Sequence, residues 1–361
     1  MQYSEKKIMR ILKGEADVPK EVTARIDQTI RQIKENSGDR NMRKRGFRCH
    51  AAAAVAVIIL FGTVTAGAAG FFLWNQDVAE MFGADEAQQR ELVQKKVTGP
   101  VEADAEDQGV TISLEQSLAT EKYMYLYFKI TAPKGMKLSE RTFFEEQELL
   151  VDGERMKLNY SGGIQEGTKD PEEHVIYWEY FVQCSERDYM NGKELTAHFQ
   201  NMIQFQEDRT LEPELVQEGS WDVSWTVEYA STEQRFEINQ PLQGSDTVVK
   251  NIVISPISME VTYDLPRKKV PIQAYTEDGE TEERFEWAEP DVIPSQYRMK
   301  DGTLEDIVTG VIGSEGYLNT DESDTTYVTS FGCRKVYSTD EICGVVFVNR
   351  NTNQTYELTL R

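Results

Sequence analysis

The sequence predicts a mainly β chain: short helices inside the cell, one transmembrane helix, then two β-sandwich-like domains outside it. Three observations carry that expectation. An uncharged apolar run separates a small basic segment from a large acidic one. Beyond the run, apolar and polar residues alternate with period two through many short stretches bounded by turn residues. Almost no long helical pattern interrupts those stretches.

The apolar run extends from Ala51 to Trp74, 24 residues without a charge. As a helix it covers the roughly 30 Å hydrocarbon core with some tilt. Arg40, Arg43, Lys44, Arg45 and Arg48 crowd its first end, and Trp74, Asn75, Gln76 and Asp77 follow the other. Basic residues collect on the cytoplasmic side and Trp favours the interface. This places the N-terminus in the cytoplasm, Trp74 at the far headgroup layer, and the chain as a single-pass plasma-membrane protein. A cleaved signal is the rival, because Ala66-Gly67-Ala68 offers small residues. Its n-region would be about 50 residues long and its core would exceed the usual 7–15, so a retained anchor is expected.

Charge divides at the same place. The whole chain carries −23, but residues 1–50 hold 13 basic and 7 acidic residues, so the rest holds 26 basic and 55 acidic. An acidic outer part repels phosphates and excludes nucleic acid as its partner. The basic surplus lies next to the bilayer, where anionic headgroups account for it.

Residues 1–50 read as a cytoplasmic helical segment. "SEKKIMRILKG" and "DVPKEVTARIDQTIRQIKENSG" are its two helices, with Pro19 suited to a first turn and Gly38 to an end. In the second, Val22, Ile26, Ile30 and Ile33 form one apolar stripe. So short a segment can hardly bury a core of its own. The stripe therefore packs on the first helix, a second copy, the membrane or a partner.

Residues 75–235 and 236–361 read as two extracytoplasmic β domains. "DVAEMFGADEAQQRELVQKK" gives one or two short helices broken near Gly83. In "KYMYLYFKITA", Met124, Leu126, Phe128 and Ile130 alternate with Tyr123, Tyr125, Tyr127 and Lys129, as in an antiparallel strand with an amphipathic outer face. Those tyrosines are either a binding face or ordinary outward strand residues. Pro256 interrupts "DTVVKNIVISPISMEVTYDL", which suggests an edge strand or a bulge. "TTYVTSFGCRKVY" and "EICGVVFVN" read as strands around Ser338-Thr339-Asp340. A cross-strand disulfide between Cys333 and Cys343 is compatible with that hairpin in an oxidising compartment.

Catalytic patterns do not emerge. His50, His174 and His198 are the only histidines, with no nucleophile elbow, HExxH, paired CxxC, phosphate-binding loop or dinucleotide fingerprint. The acidic stretches Asp104–Asp107 and Asp321–Asp324 lack the alternating ligands of a calcium loop and read as solvated surface. No enzymatic activity, cofactor or metal is expected.

The order of parts is informative in itself. The helix "VPKEVTARIDQTIRQI", a basic run, an Ala/Val/Ile span and "NQDVAEMFG…GVTISLEQSLATEKYMYLYFKITAP" resemble the bacterial domain-of-unknown-function 4179 family over residues 45–135. "DTVVKNIVISPISMEV" looks like the immunoglobulin-like domain that follows in such proteins. The layout is similar to transmembrane anti-sigma factors of Gram-positive bacteria. The resemblance implies signal transduction: a cytoplasmic segment that sequesters an extracytoplasmic-function sigma factor, with outer domains that sense an unknown envelope ligand. Residues 1–48 contain neither His nor Cys, which excludes the zinc-binding subtype and leaves the Val22–Ile33 stripe to bind the partner. The alternative is a passive surface adhesion module that the span merely anchors.

Overall fold

The computed structural model describes residues 74–361 apart from 100, 102, 156–158, 166–173, 209–210, 276–280, 308, 319–320 and 322. The stripe Val22, Ile26, Ile30 and Ile33, the collar Arg43, Lys44, Arg45 and Arg48, and the apolar run up to residue 73 lie outside the described residues. Among those described, no helix is long and apolar enough to cross a membrane. The described chain is mainly β.

Two short helices come first, α1 (Gln76–Met81) and α2 (Glu86–Gln94). The Asn75 side chain caps α1, accepting from the amides of Asp77 at 3.0 Å and Val78 at 3.3 Å. Gly83 turns the chain at a φ of +58°, where a Cβ would be strained. Asp85 caps α2 in a capping box, its own amide donating to the Gln88 side chain at 3.0 Å. Helices this short are marginal in water by themselves, so packing must hold them.

The first sandwich contains β1 (Thr98–Gly99), β2 (Ala103–Asp107), β3 (Val110–Ala119), β4 (Tyr123–Thr131), β5 (Thr142–Val151), β6 (Glu154–Arg155), β7 (Asn159–Ile164), β8 (Val175–Gln183), β9 (Glu194–Gln204) and β10 (Glu214–Thr226). One sheet runs β1-β3-β4-β8-β7 with β2 also on β3, and the other runs β10-β9-β5-β6. Their facing sides share one core. Met124, Leu126, Phe128 and Ile130 of β4 meet Phe144, Phe199, Trp221 and Trp225 there, with the Phe128 and Phe199 rings 5.6 Å apart. The acidic stretch at 104–107 is part of a strand. That strand is β2, with Ala103 and Ala105 packed against the core between outward carboxylates.

The second sandwich contains β11 (Gln234–Pro241), β12 (Val248–Ser255), β13 (Ser258–Asp264), β14 (Lys269–Tyr275), β15 (Thr281–Trp287), β16 (Val292–Met299), β17 (Leu304–Asp306), β18 (Thr309–Tyr317), β19 (Thr326–Cys333), β20 (Ile342–Asn349) and β21 (Thr355–Thr359). Its sheets run β11-β12-β13-β19-β18 and β17-β16-β20-β21, while β14 and β15 pair as a separate ribbon. Val261, Tyr263, Tyr297, Val345 and Phe347 fill the space between the sheets. Pro256 marks neither an edge strand nor a bulge. It lies in the turn of the β12–β13 hairpin, outside the ladder, where its missing N–H costs nothing. Pro294 does lie within a strand, and the pairing of β16 with β20 slips one residue there, as a bulge permits.

Cys333 and Cys343 are not bridged, contrary to the hairpin expectation. β19 and β20 belong to opposite sheets, and the chain passes between them through a 3-10 turn at Thr339–Glu341. Cys184, Cys333 and Cys343 are free thiols. Burial pushes the thiols of Cys184 and Cys333 up to about 12, so both are inert.

Candidate functional site at the junction of the helices and the two sandwiches

β4 is buried on both faces. Tyr123, Tyr125 and Tyr127, expected to point outward, are 3%, 1% and 0% exposed. Trp74, Val78, Phe82, Leu92 and Val97 cover this side of the sheet, together with Ile257 and Val336 from the second sandwich. Phe82 meets the Tyr125 ring edge-on at 4.8 Å, and Tyr127 stacks on Tyr177 at 5.1 Å. Burying side chains such as Phe82 and Leu92 stabilises by about 1.5–3 kcal/mol each, enough to hold helices that cannot stand alone. Burial raises the three phenols well above their ordinary value, so they act as neutral groups and not as bases.

Trp74, which ends the apolar run, belongs to the same cluster. It is 5% exposed, inside protein, and its indole N–H donates to the Gln89 carbonyl at 3.2 Å. The next residue is pinned as well, since the Asn75 amide donates to the Gln116 side chain of β3 at 2.7 Å.

The second sandwich reaches this cluster through the chain that leaves β19. β19 stops at Cys333, and the residues "RKVY" that follow leave the sheet and lie over α1, α2 and β8. The Arg334 guanidinium pairs with Glu179 at 2.7 Å and lies over the Phe181 ring at 4.6 Å. The Val336 amide donates to the Phe82 carbonyl at 3.1 Å, and the Gln88 side chain donates to the Val336 carbonyl at 3.2 Å. Ser338 donates to Glu91, and Lys95 bridges Glu91 and Asp340 at 2.8 Å each. The Tyr123 hydroxyl lies 2.6 Å from that of Ser330.

A polar network lies in the same junction. Glu121, in the turn between β3 and β4, is 1% exposed. Its carboxylate accepts from the Ser231 hydroxyl and from the amides of Thr232 at 2.7 Å and Glu233 at 3.1 Å. It thereby holds the strand connection between the sandwiches. Lys122 pairs with Glu260 of β13, and Arg187 pairs with both Glu233 and Glu260. Burial raises the Glu233 carboxyl above its ordinary range, more than Arg187 and Arg235 draw it down. Burial acts the same way on Glu260, but Lys122 and Arg187 outweigh it and hold that carboxyl below the ordinary 4.5.

A lowered carboxyl stabilises the fold above its unfolded value and loses that contribution as pH falls through the folded one. Glu260→Gln should therefore lower stability by about 2 kcal/mol at neutral pH. The gap to wild type should close as pH drops below 4.5, read by thermal melts across a pH series. An unchanging gap would show that the ion pairs contribute nothing.

Among the described residues, no group of three His, Cys, Asp or Glu side chains is placed to hold a metal ion. The arrangement can hold three parts of the chain together. Residues 41–132 match the family model described as "Domain of unknown function (DUF4179)". The chain carries a DUF4179 segment. No curated protein matches the chain. Among solved structures, the crystal structure of the conserved domain protein from Bacillus anthracis is similar at 10% identity and a TM-score of 0.42, over 73% of this chain and 86% of that one. That likeness carries nothing about function.

The DUF4179 segment ends one residue beyond β4, so the junction lies along its border. Glu121, Lys122 and the three tyrosines fall within it, while Arg187, Glu260, Ser330, Arg334 and Val336 fall beyond it. Sequence reasoning passed over these partners. Lys122 and Glu260 are 138 positions apart, and no local pattern marks such a pair.

Proposed function

We propose that the chain is a single-pass membrane regulator of the anti-sigma-factor kind, with its N-terminus in the cytoplasm and its sandwiches outside. The Val22–Ile33 stripe holds an extracytoplasmic-function sigma factor in the cytoplasm, and the outer body responds to an envelope component. In this regulator the second sandwich is an immunoglobulin-like domain. One observation supports the regulator over the adhesion alternative: Trp74, the last residue of the apolar run, is already buried in the outer body. An adhesion module needs only a tether between membrane and binding domain. With Trp74 packed in that body, a rearrangement of the body is felt where the apolar run ends.

The test is capture of the sigma factor from cell lysate by the detergent-solubilised full chain. Capture is expected for the wild type and should be lost in Ile26→Asp with Ile30→Asp. Equal capture by the charged variant would remove the reading. Intact cellular function after deletion of residues 1–38 would favour adhesion.

A further inference from the structure

We propose that residues 334–340 are a release latch, through which the second sandwich keeps α1 and α2 folded against the tyrosine face. This deepens the regulator reading and rests on it: the latch is the element by which an event on the second sandwich reaches Trp74.

Three observations point to this segment. First, its neighbouring side chains enter different cores. Val336 is 1% exposed in the helix cluster, whereas Tyr337, also 1% exposed, belongs to the core of the second sandwich. Tyr337 packs edge-on against Tyr297 at 4.8 Å and donates to the Asp306 carbonyl at 2.7 Å. A shift of β16 or β17 that moves Tyr337 must move Val336 too. Second, the segment is rooted in the sheet opposite the one it leaves. The Lys300 amide at the end of β16 donates to the Glu341 carbonyl at 2.8 Å, and Lys335 pairs with Glu305 of β17 at 2.8 Å. Third, its hold is light enough to release. Among the described residues, Val336 and Ile257 are the buried apolar side chains that the second sandwich adds to the helix cluster. Much of the remaining hold is polar, and the Lys95–Asp340 pair is largely exposed and weak. Helices of six and nine residues melt once their packing is loosened.

The latch predicts where local opening occurs. Hydrogen exchange, read by mass spectrometry on the full chain in detergent, should show slow amides in α1 and α2. Val336→Asp should speed them about tenfold while β9 and β13 keep wild-type rates. Should that variant fail to fold, Val336→Ala should give the same pattern at about threefold. Tyr337→Leu, which alters a side chain in the second-sandwich core alone, should also speed α1 and α2. Unchanged helix exchange in the Val336 variants, or a Tyr337→Leu effect confined to β16 and β20, would overturn the latch. These readouts do not involve the sigma factor. Capture that persists after the latch fails removes the latch alone; lost capture with the latch intact removes the regulator reading.

Discussion

Trp221→Ala is expected to destabilise the first sandwich by about 3–5 kcal/mol, because it removes one of the largest fully buried side chains and leaves a cavity. The ring lies 6.0 Å from Phe144, and a Cβ placed on Gly219 would come within 2.6 Å of it, so neighbours already fill the space. The change also deprives the buried Val110 carbonyl of the indole N–H that donates to it at 3.0 Å. The melting temperature of the first sandwich should fall by roughly 10 °C. A loss below about 1 kcal/mol would mean that the two sheets do not close over this ring as described.

Glu121→Ala should have the next largest effect, on the order of 3 kcal/mol, and for a different reason. The glutamate contributes little apolar area. Its loss strands the buried Thr232 amide together with the Ser231 and Glu233 donors, and frees the connection between β10 and β11. Glu121→Gln keeps an acceptor oxygen and should recover most of the loss. Denaturant titration of the three proteins reads the difference. Equal stability of the alanine and wild-type chains would show that the connection is held by something else.

Much of the local structure was legible. "DVAEMFGADEAQQRELVQKK", broken near Gly83, reads as one or two short helices, and two short helices form. The period-two alternation of β4 identifies a strand and selects Met124, Leu126, Phe128 and Ile130 as one of its faces. Alternation separates two faces but says nothing of what covers each. Tyr123, Tyr125 and Tyr127 therefore read as outward, although helices and the second sandwich bury them. The charged strand β2 was missed for a related reason: in "ADAED" the apolar residues on the half-buried face are two small alanines, and the carboxylates dominate the composition. The junction was not legible at all. Glu121 accepts from residues some 111 positions away, and nothing in "GCRKVY" shows that the strand ends at its cysteine.

The proposed regulator requires the N-terminus on the cytoplasmic side of a membrane and both sandwiches beyond it. The direct measurement treats intact cells with a membrane-impermeant amine reagent and maps the labelled lysines by mass. Lys134 and Lys268, exposed on the two sandwiches, should be labelled in intact cells. Lys6, Lys7 and Lys13 should be labelled only after lysis, on a chain that still carries its N-terminus. Labelling of the N-terminal lysines in intact cells, protection of Lys134 and Lys268, or a mature chain beginning near Gly67 would contradict it.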